Sequence, residues 1–387
     1  MNGSLLYVCG ALAAGEYAAS LAPQFSGTWP ALAAAAALTA LFGYGLSARG
    51  WRFAAVFLAG AALYFSAATA DEKLYFEKPW LRNRRLARAE ESTGARWGAA
   101  RNELARRAAI GLERDAETAA LNRAILFGGR SGLPRRMKRV FEESGTMHVF
   151  AVSGLHVMAV AQTLVWMTAL LAVPRRFAGA AALPAVWGYV FLIGCRPSAV
   201  RAALMATTYL LAPVFWRRGN LLRSWGVAFL AVHLARPGMI NDTGSAMSFL
   251  VMLAIGLVCE NVSGAKALWV TAAAWAAGAP VAAHVFGRIT PGGILANLLM
   301  LAAAGCSVTT GVFGIAASFF SEHLAAHLNN LSALFTKAML ATAQSVAIIP
   351  GATISVPNWS LPQCAAWYAA LALAAFLYRS VRSRTAI

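Results

Sequence analysis

Long apolar stretches separated by short polar breaks dominate the amino-acid sequence. A helix needs about 20 apolar residues to cross a bilayer, and runs of Ala, Leu, Val, Phe and Trp of that order recur along the chain. The pattern predicts an all-α polytopic membrane protein with about 10–12 transmembrane or re-entrant helices. The predicted spans are 4–22, 30–48, 51–70, 147–173, 181–195, 198–216, 222–236, 245–260, 266–286, 293–319, 333–350 and 361–378.

One segment, residues 71–145, breaks this pattern. It holds 11 of the 15 acidic residues and 17 of the 33 basic residues. Its Ala, Leu, Arg and Glu composition is typical of solvated helices, and it shows no alternating strand pattern. We therefore predict an N-terminal three-helix membrane segment (1–70), a basic extracytoplasmic helical segment (71–145) and a membrane channel domain (146–387).

Composition and charge support a membrane protein and give it an orientation. Of the 387 residues, 59% are hydrophobic and 12% charged, against about 25% charged in a soluble domain, which argues against a soluble enzyme. The net charge is +18, and the short loops after even-numbered spans carry most of the loop arginines. The positive-inside rule then places both termini in the cytoplasm. The five cysteines are scattered and form no CxxC pair, so we expect small core residues rather than a disulfide framework or a zinc site.

Two interpretations of the basic segment remain compatible. It forms a helical hairpin on the membrane surface with an ion-paired outer face, or a positively charged collar that gathers phosphate groups. The arginines and the lysine of that DNA-attracting surface are Arg82, Arg84, Arg85, Arg88, Arg106, Arg107, Arg135, Arg136, Lys138 and Arg139.

Polar residues at the head of an apolar span form the first motif. His148, Ser153, Gly154 and His156 stand where apolar residues would cost less, because an unpaired polar group in hydrocarbon costs several kcal/mol. Ser153 and His156 are three residues apart and share one helix face. Such residues face a cavity, a partner or water.

A second motif surrounds Pro197, which suits the first turn of a helix. Arg196 lies at the junction before it, and Ser198, Arg201 and Thr208 fall on one stripe of the new helix. An arginine on a stripe with Ser and Thr predicts a wet, positively biased path. The alternative is an arginine that extends to the lipid headgroups.

Two further motifs follow in the sequence. Asp242 precedes a helix that contains Ser248, and it either caps that helix or pairs with an intramembrane arginine such as Arg201. Later, Pro280 and Pro291 predict broken helices of the kind that line cavities, with Asn297 just beyond.

These four segments together resemble the ComEC-type competence family of inner-membrane DNA-uptake proteins, over roughly residues 121–310. The matching elements are a Gly and His stretch ending in Ser-Gly-Leu-His, a Pro-Ser-x-x-Arg-Ala element, an acidic-Gly then Ser-Phe element, and Asn-Leu-Leu. They are carried here by Gly145, His148, Ser153, Gly154, Leu155 and His156, by Pro197, Ser198, Arg201 and Ala202, by Asp242, Gly244, Ser248 and Phe249, and by Asn297, Leu298 and Leu299.

The sequence also departs from the family pattern. No OB-like or metallo-β-lactamase-like domain is visible, and Ala246 stands where the family usually has Gln. The resemblance implies a channel in the bacterial inner membrane that passes single-stranded DNA into the cytoplasm during natural transformation, without catalysis, cofactor or metal. It implies membrane lipid, a separate nuclease, a DNA receptor and a cytoplasmic motor as partners, and it is compatible with a homodimer.

Two other function classes stay open at this level. A transporter of a small anionic solute uses the same polar path, and an intramembrane hydrolase would use Ser153 with His148 or His156. The spacing of His323 and His327, next to Glu322, is suited to a metal, but a pair without further ligands is typical of a polar interfacial face.

Overall fold

The computed structural model describes residues 97–129, 132–150, 154–235, 242–262 and 265–384. The first three predicted spans lie outside these ranges. Five of the predicted site residues lie outside them too, namely Arg82, Arg84, Arg85, Arg88 and Ser153.

Twelve α-helices make up most of the described chain, and this confirms the all-α class. They are α1 (Gly98–Arg107), α2 (Ala116–Phe127), α3 (Arg135–Glu143), α4 (Gly154–Leu170), α5 (Arg175–Leu192), α6 (Pro197–Leu211), α7 (Leu221–Ala235), α8 (Thr243–Asn261), α9 (Lys266–Phe286), α10 (Gly292–Ala317), α11 (Glu322–Ala347) and α12 (Leu361–Arg384). Short 3-10 turns span Met147–Phe150 and Ala212–Phe215. Two-residue strands β1 (Arg288–Ile289) and β2 (Ile354–Ser355) pair antiparallel.

Four of the described helices are long and apolar enough to cross a membrane, so the chain is a multi-pass membrane protein. These are Pro197–Phe215, Thr243–Glu260, Lys266–Phe286 and Gly292–Ala317. The predicted span 266–286 matches α9 to the residue. The prediction of 333–350 was wrong at its start, because α11 begins at Glu322. Its first turns contain His and Asn side chains that lowered the apparent hydrophobicity of a continuous helix.

The described residues form two compact units. The first takes residues up to 132, 149–249 and 304–336, and the second takes 133–148, 250–303 and those from 337 onward. In the first unit, α4, α5 and α6 pack through small residues. Gly179 of α5 lies so close to α6 that an added Cβ would stand 2.6 Å from the Leu210 carbonyl oxygen. Close backbone approach through small residues is how membrane helices associate.

Helices α1 and α2 form a hairpin in the first unit, but α2 is buried rather than solvated. Its residues Leu121, Ile125 and Leu126 are almost fully buried, and the Ser332 hydroxyl of α11 donates to Asn122 Oδ1 at 2.7 Å. Expecting a solvated helix here was wrong, because the charge of the whole segment masked one apolar 12-residue helix.

In the second unit, side chains of α12 satisfy backbone carbonyls that a proline leaves unpaired inside α9. Pro280 lies inside α9 and cannot donate to the Ala276 carbonyl, which accepts instead from Trp367 Nε1 of α12 at 3.0 Å. The Ala277 carbonyl accepts from the Tyr368 hydroxyl at 2.9 Å. Neighbouring side chains thus satisfy backbone groups that a membrane would leave unpaired.

Candidate functional site

The polar motifs of the first unit meet at one end of its helices, which we call the motif end. Helices α4, α6 and α8 begin there, whereas α5 and α7 end there, because successive packed helices run in opposite directions. Two contacts establish the meeting. A Cβ added to Gly154 at the start of α4 would stand 3.8 Å from the Ala202 side chain, and Arg201 reaches the first turn of α8. Three helix N-termini therefore contribute partial positive charge to one place.

Arg201 is the central side chain of the motif end. It is 5% exposed, and its Nη2 donates to the Gly244 carbonyl oxygen at 3.2 Å. Its guanidinium lies 5.7 Å from the centre of the Phe249 ring. Nε and Nη1 are buried and have no hydrogen-bond partner among the described residues. Buried charged donors without partners destabilise a fold. The arrangement therefore suits a site at which an anion binds and dissociates.

Asp242 fulfils one of the two roles considered from the sequence, the cap of α8, and the predicted ion pair with Arg201 does not form among the described residues. Its Oδ2 accepts from the Ser245 backbone N–H at 2.7 Å, which caps α8. Its negative charge also acts on Arg201, although no direct ion pair joins these two described side chains. The carboxylate thus offsets part of the positive charge and leaves the free guanidinium donors available.

Arg196 adds a second positive charge at the start of α6. It is the residue before Pro197, and its Nη2 stands 3.8 Å from where a Cβ on Gly129 would lie. Gly129 has φ +111°, a conformation that favours glycine. The nearby Tyr189 hydroxyl donates to the Leu126 carbonyl oxygen at 2.8 Å. The end of α2 therefore borders the motif end.

The other predicted path residues of the first unit differ in burial and in hydrogen bonding. His156 is buried at the start of α4, and Ser198 and Ser248 are half-buried. The Thr208 hydroxyl donates to the Met205 carbonyl oxygen of its own helix at 2.9 Å. Because that hydroxyl is already used, the polar stripe is shorter than the sequence suggested.

His148 and Asn297 lie in the second unit. The His148 imidazole lies beside the Gly145 backbone and the Asn297 side chain. Gly145 has φ +71°, and a Cβ there would clash with Thr290 at 2.6 Å. The Gly-then-His element of the first motif is thus a tight turn that presents the imidazole to α10.

The basic residues of the proposed collar are used in different ways. Glu103 accepts from both Arg106 and Arg107 at 2.8–2.9 Å, and the hydrogen bond from Arg106 is the main reason that the pKa of Glu103 falls to about 2. Arg107 also donates to the Ser318 carbonyl oxygen at 3.2 Å and stacks over Phe319. The ion-paired outer face is thereby confirmed for α1.

Helix α3 presents its basic side chains differently. Its Met137 and Phe141 are buried, and Arg135, Arg136 and Arg139 are exposed, with Lys138 half-buried. Arg139 pairs with Glu143 at 2.7 Å. Of the collar residues that are described, those of α3 are the better placed to meet a polyanion.

Sequence reasoning missed His233, which is buried near the end of α7. Its Nδ1 lies 2.8 Å from the Phe229 carbonyl oxygen, and its ring stacks on Phe229 with centroids 4.0 Å apart. The available signal was a histidine within an otherwise apolar run. Among the described residues, no three His, Cys, Asp or Glu side chains are grouped to hold a metal. The ring centroids of His323 and His327 are 4.5 Å apart on the exposed face of α11.

Comparison with known proteins adds an independent observation. The family described as "Competence protein" matches residues 125–381. The competence protein ComA of Neisseria gonorrhoeae is 30% identical over 151 residues, which is 36% of this chain and 21% of that protein. ComE operon protein 3 of Bacillus subtilis is 26% identical over 139 residues, or 36% and 18% of the two chains.

An uncharacterized protein of Aquifex aeolicus is 30% identical over 187 residues, covering 47% of this chain and 44% of the other. The matches thus span from about a fifth to less than half of these relatives. No solved structure matches the chain.

Proposed function

Because the chain belongs to the competence protein family over residues 125–381, we propose that it is a bacterial inner-membrane channel that carries single-stranded DNA into the cytoplasm during natural transformation. The relatives named for competence support a role in DNA uptake. The four spanning helices support a location in the membrane.

The observation that carries the proposal is the pair of donors on buried Arg201 that find no partner in the part of the chain that the structure describes. Guanidinium N–H groups match phosphate oxygens in a fixed fork, and hydrogen bonds to charged groups are stronger than neutral ones. The N-termini of α4, α6 and α8 add backbone dipoles directed at the same place. A phosphate that arrives at the motif end would meet half-buried Arg196 first and buried Arg201 next.

Transport of this kind needs no bond to be broken. Asp242 keeps the net charge at the motif end moderate, so that a phosphate is attracted without being held permanently. In this proposal the chain is not an enzyme and uses no cofactor or metal. A separate nuclease, DNA receptor and cytoplasmic motor would supply the single strand and the driving force, and a homodimer is compatible with it. The exposed arginines of α3 would gather the strand at the outer surface.

A second candidate, transport of a small anion, rests on the same donors. Two free N–H groups suffice for one phosphate or carboxylate, and the motif end by itself does not require a polymer. The two candidates differ in what they predict for cells, because only the first links Arg201 to imported DNA.

The decisive experiment replaces Arg201 with Ala and with Lys and measures both transformation frequency and the amount of labelled DNA that becomes protected from added nuclease. Loss of a charged hydrogen bond, roughly 1.5–3 kcal/mol, corresponds to a decrease of about 10- to 150-fold in transformation frequency and in the amount of protected DNA. We expect Arg201→Ala to show that loss. Arg201→Lys should be intermediate, since it keeps the charge and loses the fork.

The matched control is Arg114→Ala, which removes an exposed arginine from the turn before α2 in the first unit. It should insert and transform normally. Normal transformation by Arg201→Ala, with unchanged amounts in the membrane, would contradict the proposal. Normal DNA import combined with lost uptake of a small anion would favour the second candidate.

A further inference from the structure

The opposite end of the first unit carries a second cluster of arginines, built differently. Helix α5 begins there, and α6 and its terminal 3-10 turn finish there before α7 begins. We call this region the arginine–tryptophan end. It consists of Arg175, Arg176, Phe215, Trp216, Arg217 and Arg218.

Arg176 organises this end. Its Nη2 donates to the Val214 carbonyl oxygen at 2.7 Å, which satisfies a carbonyl at the end of the 3-10 turn. Its guanidinium lies 3.9 Å from the centre of the Trp216 ring. Trp216 adopts φ +57°, a left-handed conformation in which the chain turns sharply. The indole and the guanidinium are therefore held together at the surface.

The other side chains of this end face outward. Trp216 is 81% exposed and Phe215 is 69% exposed. Arg175, Arg217 and Arg218 are exposed, and none of them pairs with a carboxylate of the described residues. The sequence explains this, because residues 144–241 contain eight arginines and no Asp or Glu. The compensating negative charge has to come from outside this part of the chain.

We infer that the arginine–tryptophan end binds the headgroup of an anionic phospholipid. Such a lipid matches both features at once, since its phosphate faces the arginines and its glycerol and upper acyl region cover Phe215 and Trp216. Aromatic side chains and arginines are the residues that membrane–water interfaces prefer. A soluble phosphate would meet the arginines but leave the two large apolar side chains in water.

The test uses the purified full chain in detergent micelles, with the thermal unfolding midpoint followed as phosphatidylglycerol or phosphatidylcholine is added. Phosphatidylglycerol should raise the midpoint and phosphatidylcholine should not. Each basic side chain at an anionic surface contributes several-fold to affinity, so the double variant Arg217→Gln/Arg218→Gln should weaken the apparent affinity for phosphatidylglycerol on the order of thirtyfold. Trp216→Ala should weaken it as well, and Trp216→Phe should preserve most of it.

The matched control, Arg123→Gln/Arg288→Gln, removes two exposed arginines elsewhere and should bind phosphatidylglycerol as the unaltered chain does. An equal response to both lipids, or equal loss in the two double variants, would overturn the inference. The same stabilisation by inorganic phosphate or by a short single-stranded oligonucleotide would overturn it too, and would assign these arginines to a soluble anion.

Discussion

The two ends of the first unit use arginine in opposite ways. At the motif end, Arg196 and Arg201 lie at the start of α6, where the helix dipole already contributes positive charge and an added cation is unfavourable. At the other end, Arg217 and Arg218 follow the same helix, where a cation is favourable. One arrangement opposes stability and the other supports it.

Burial widens this difference. Arg201 is almost fully enclosed, and two of its nitrogens have no partner within the described ranges, whereas Arg217 and Arg218 are exposed. A fold that retains an unfavourable buried charge points to function at that place. The position of an arginine relative to the direction of its helix therefore separates a candidate for substrate binding from a candidate for lipid contact at the surface.

The largest expected effect concerns the side of the membrane on which each end lies. In a chain whose five cysteines are replaced by serine, Ala235→Cys near the motif end should react with an impermeant maleimide in spheroplasts. Arg218→Cys should react only after permeabilisation, because the loop charges predict that it lies on the cytoplasmic side. The measurement is labelling of the purified chain. The reverse pattern would invert the topology and the direction of transport.

Binding of single-stranded DNA separates the two ends next. If six to ten phosphates are contacted, affinity should fall roughly a thousandfold or more between 50 and 200 mM salt. At fixed salt, Arg201→Ala should bind about tenfold or more weakly, and Arg217→Gln/Arg218→Gln should bind as before. Fluorescence anisotropy of a labelled oligonucleotide measures both. Equal losses of affinity in the two variants would contradict the distinction between the two ends.

The unaltered chain should not cleave DNA. Labelled single strands incubated with it and Mg²⁺, Mn²⁺ or Zn²⁺ should remain intact.

A smaller effect is expected from Asp242, which tempers the charge of the motif end. Asp242→Ala removes the cap of α8, a loss of about 0.5–2 kcal/mol in the free energy of unfolding. Asp242→Ser keeps a capping oxygen and removes only the charge. Thermal unfolding should therefore show Ala to be less stable than Ser. Identical midpoints would mean that the bond to Ser245 contributes nothing.

The smallest effect belongs to a third kind of arginine, the ion-paired Arg106 of exposed α1. The pKa of Glu103 is lowered from 4.5 to about 2, chiefly by the hydrogen bond from Arg106. The stabilisation is therefore present above pH 4.5 and is lost as the pH falls toward 2. Glu103→Gln should be slightly less stable at neutral pH and equal to the unaltered chain near pH 2. A gap that persists at low pH would contradict the assignment.

Helices and motifs were accessible from sequence to different degrees. Helix α9 and the start of α12 could be placed to the residue, because hydrophobic length alone defines them. The burial of α2 could not, since one apolar helix was hidden inside a charged segment. The hydrogen-bond partner of the Thr208 hydroxyl could not be predicted either, because a hydroxyl one turn from a backbone carbonyl can donate to its own helix or to a neighbouring one.

The sequence by itself determined that this is a helical membrane protein, where its polar motifs stand and which family they resemble, because apolar length and residue identity are local properties. Only the tertiary structure decided that the starts of α4, α6 and α8 meet, that Arg201 reaches the Gly244 carbonyl oxygen, and that His148 lies beside Asn297. These residues are 43 to 149 positions apart in the chain. Packing of antiparallel helices brings them together, and no local pattern records which polar groups remain unpartnered after that packing.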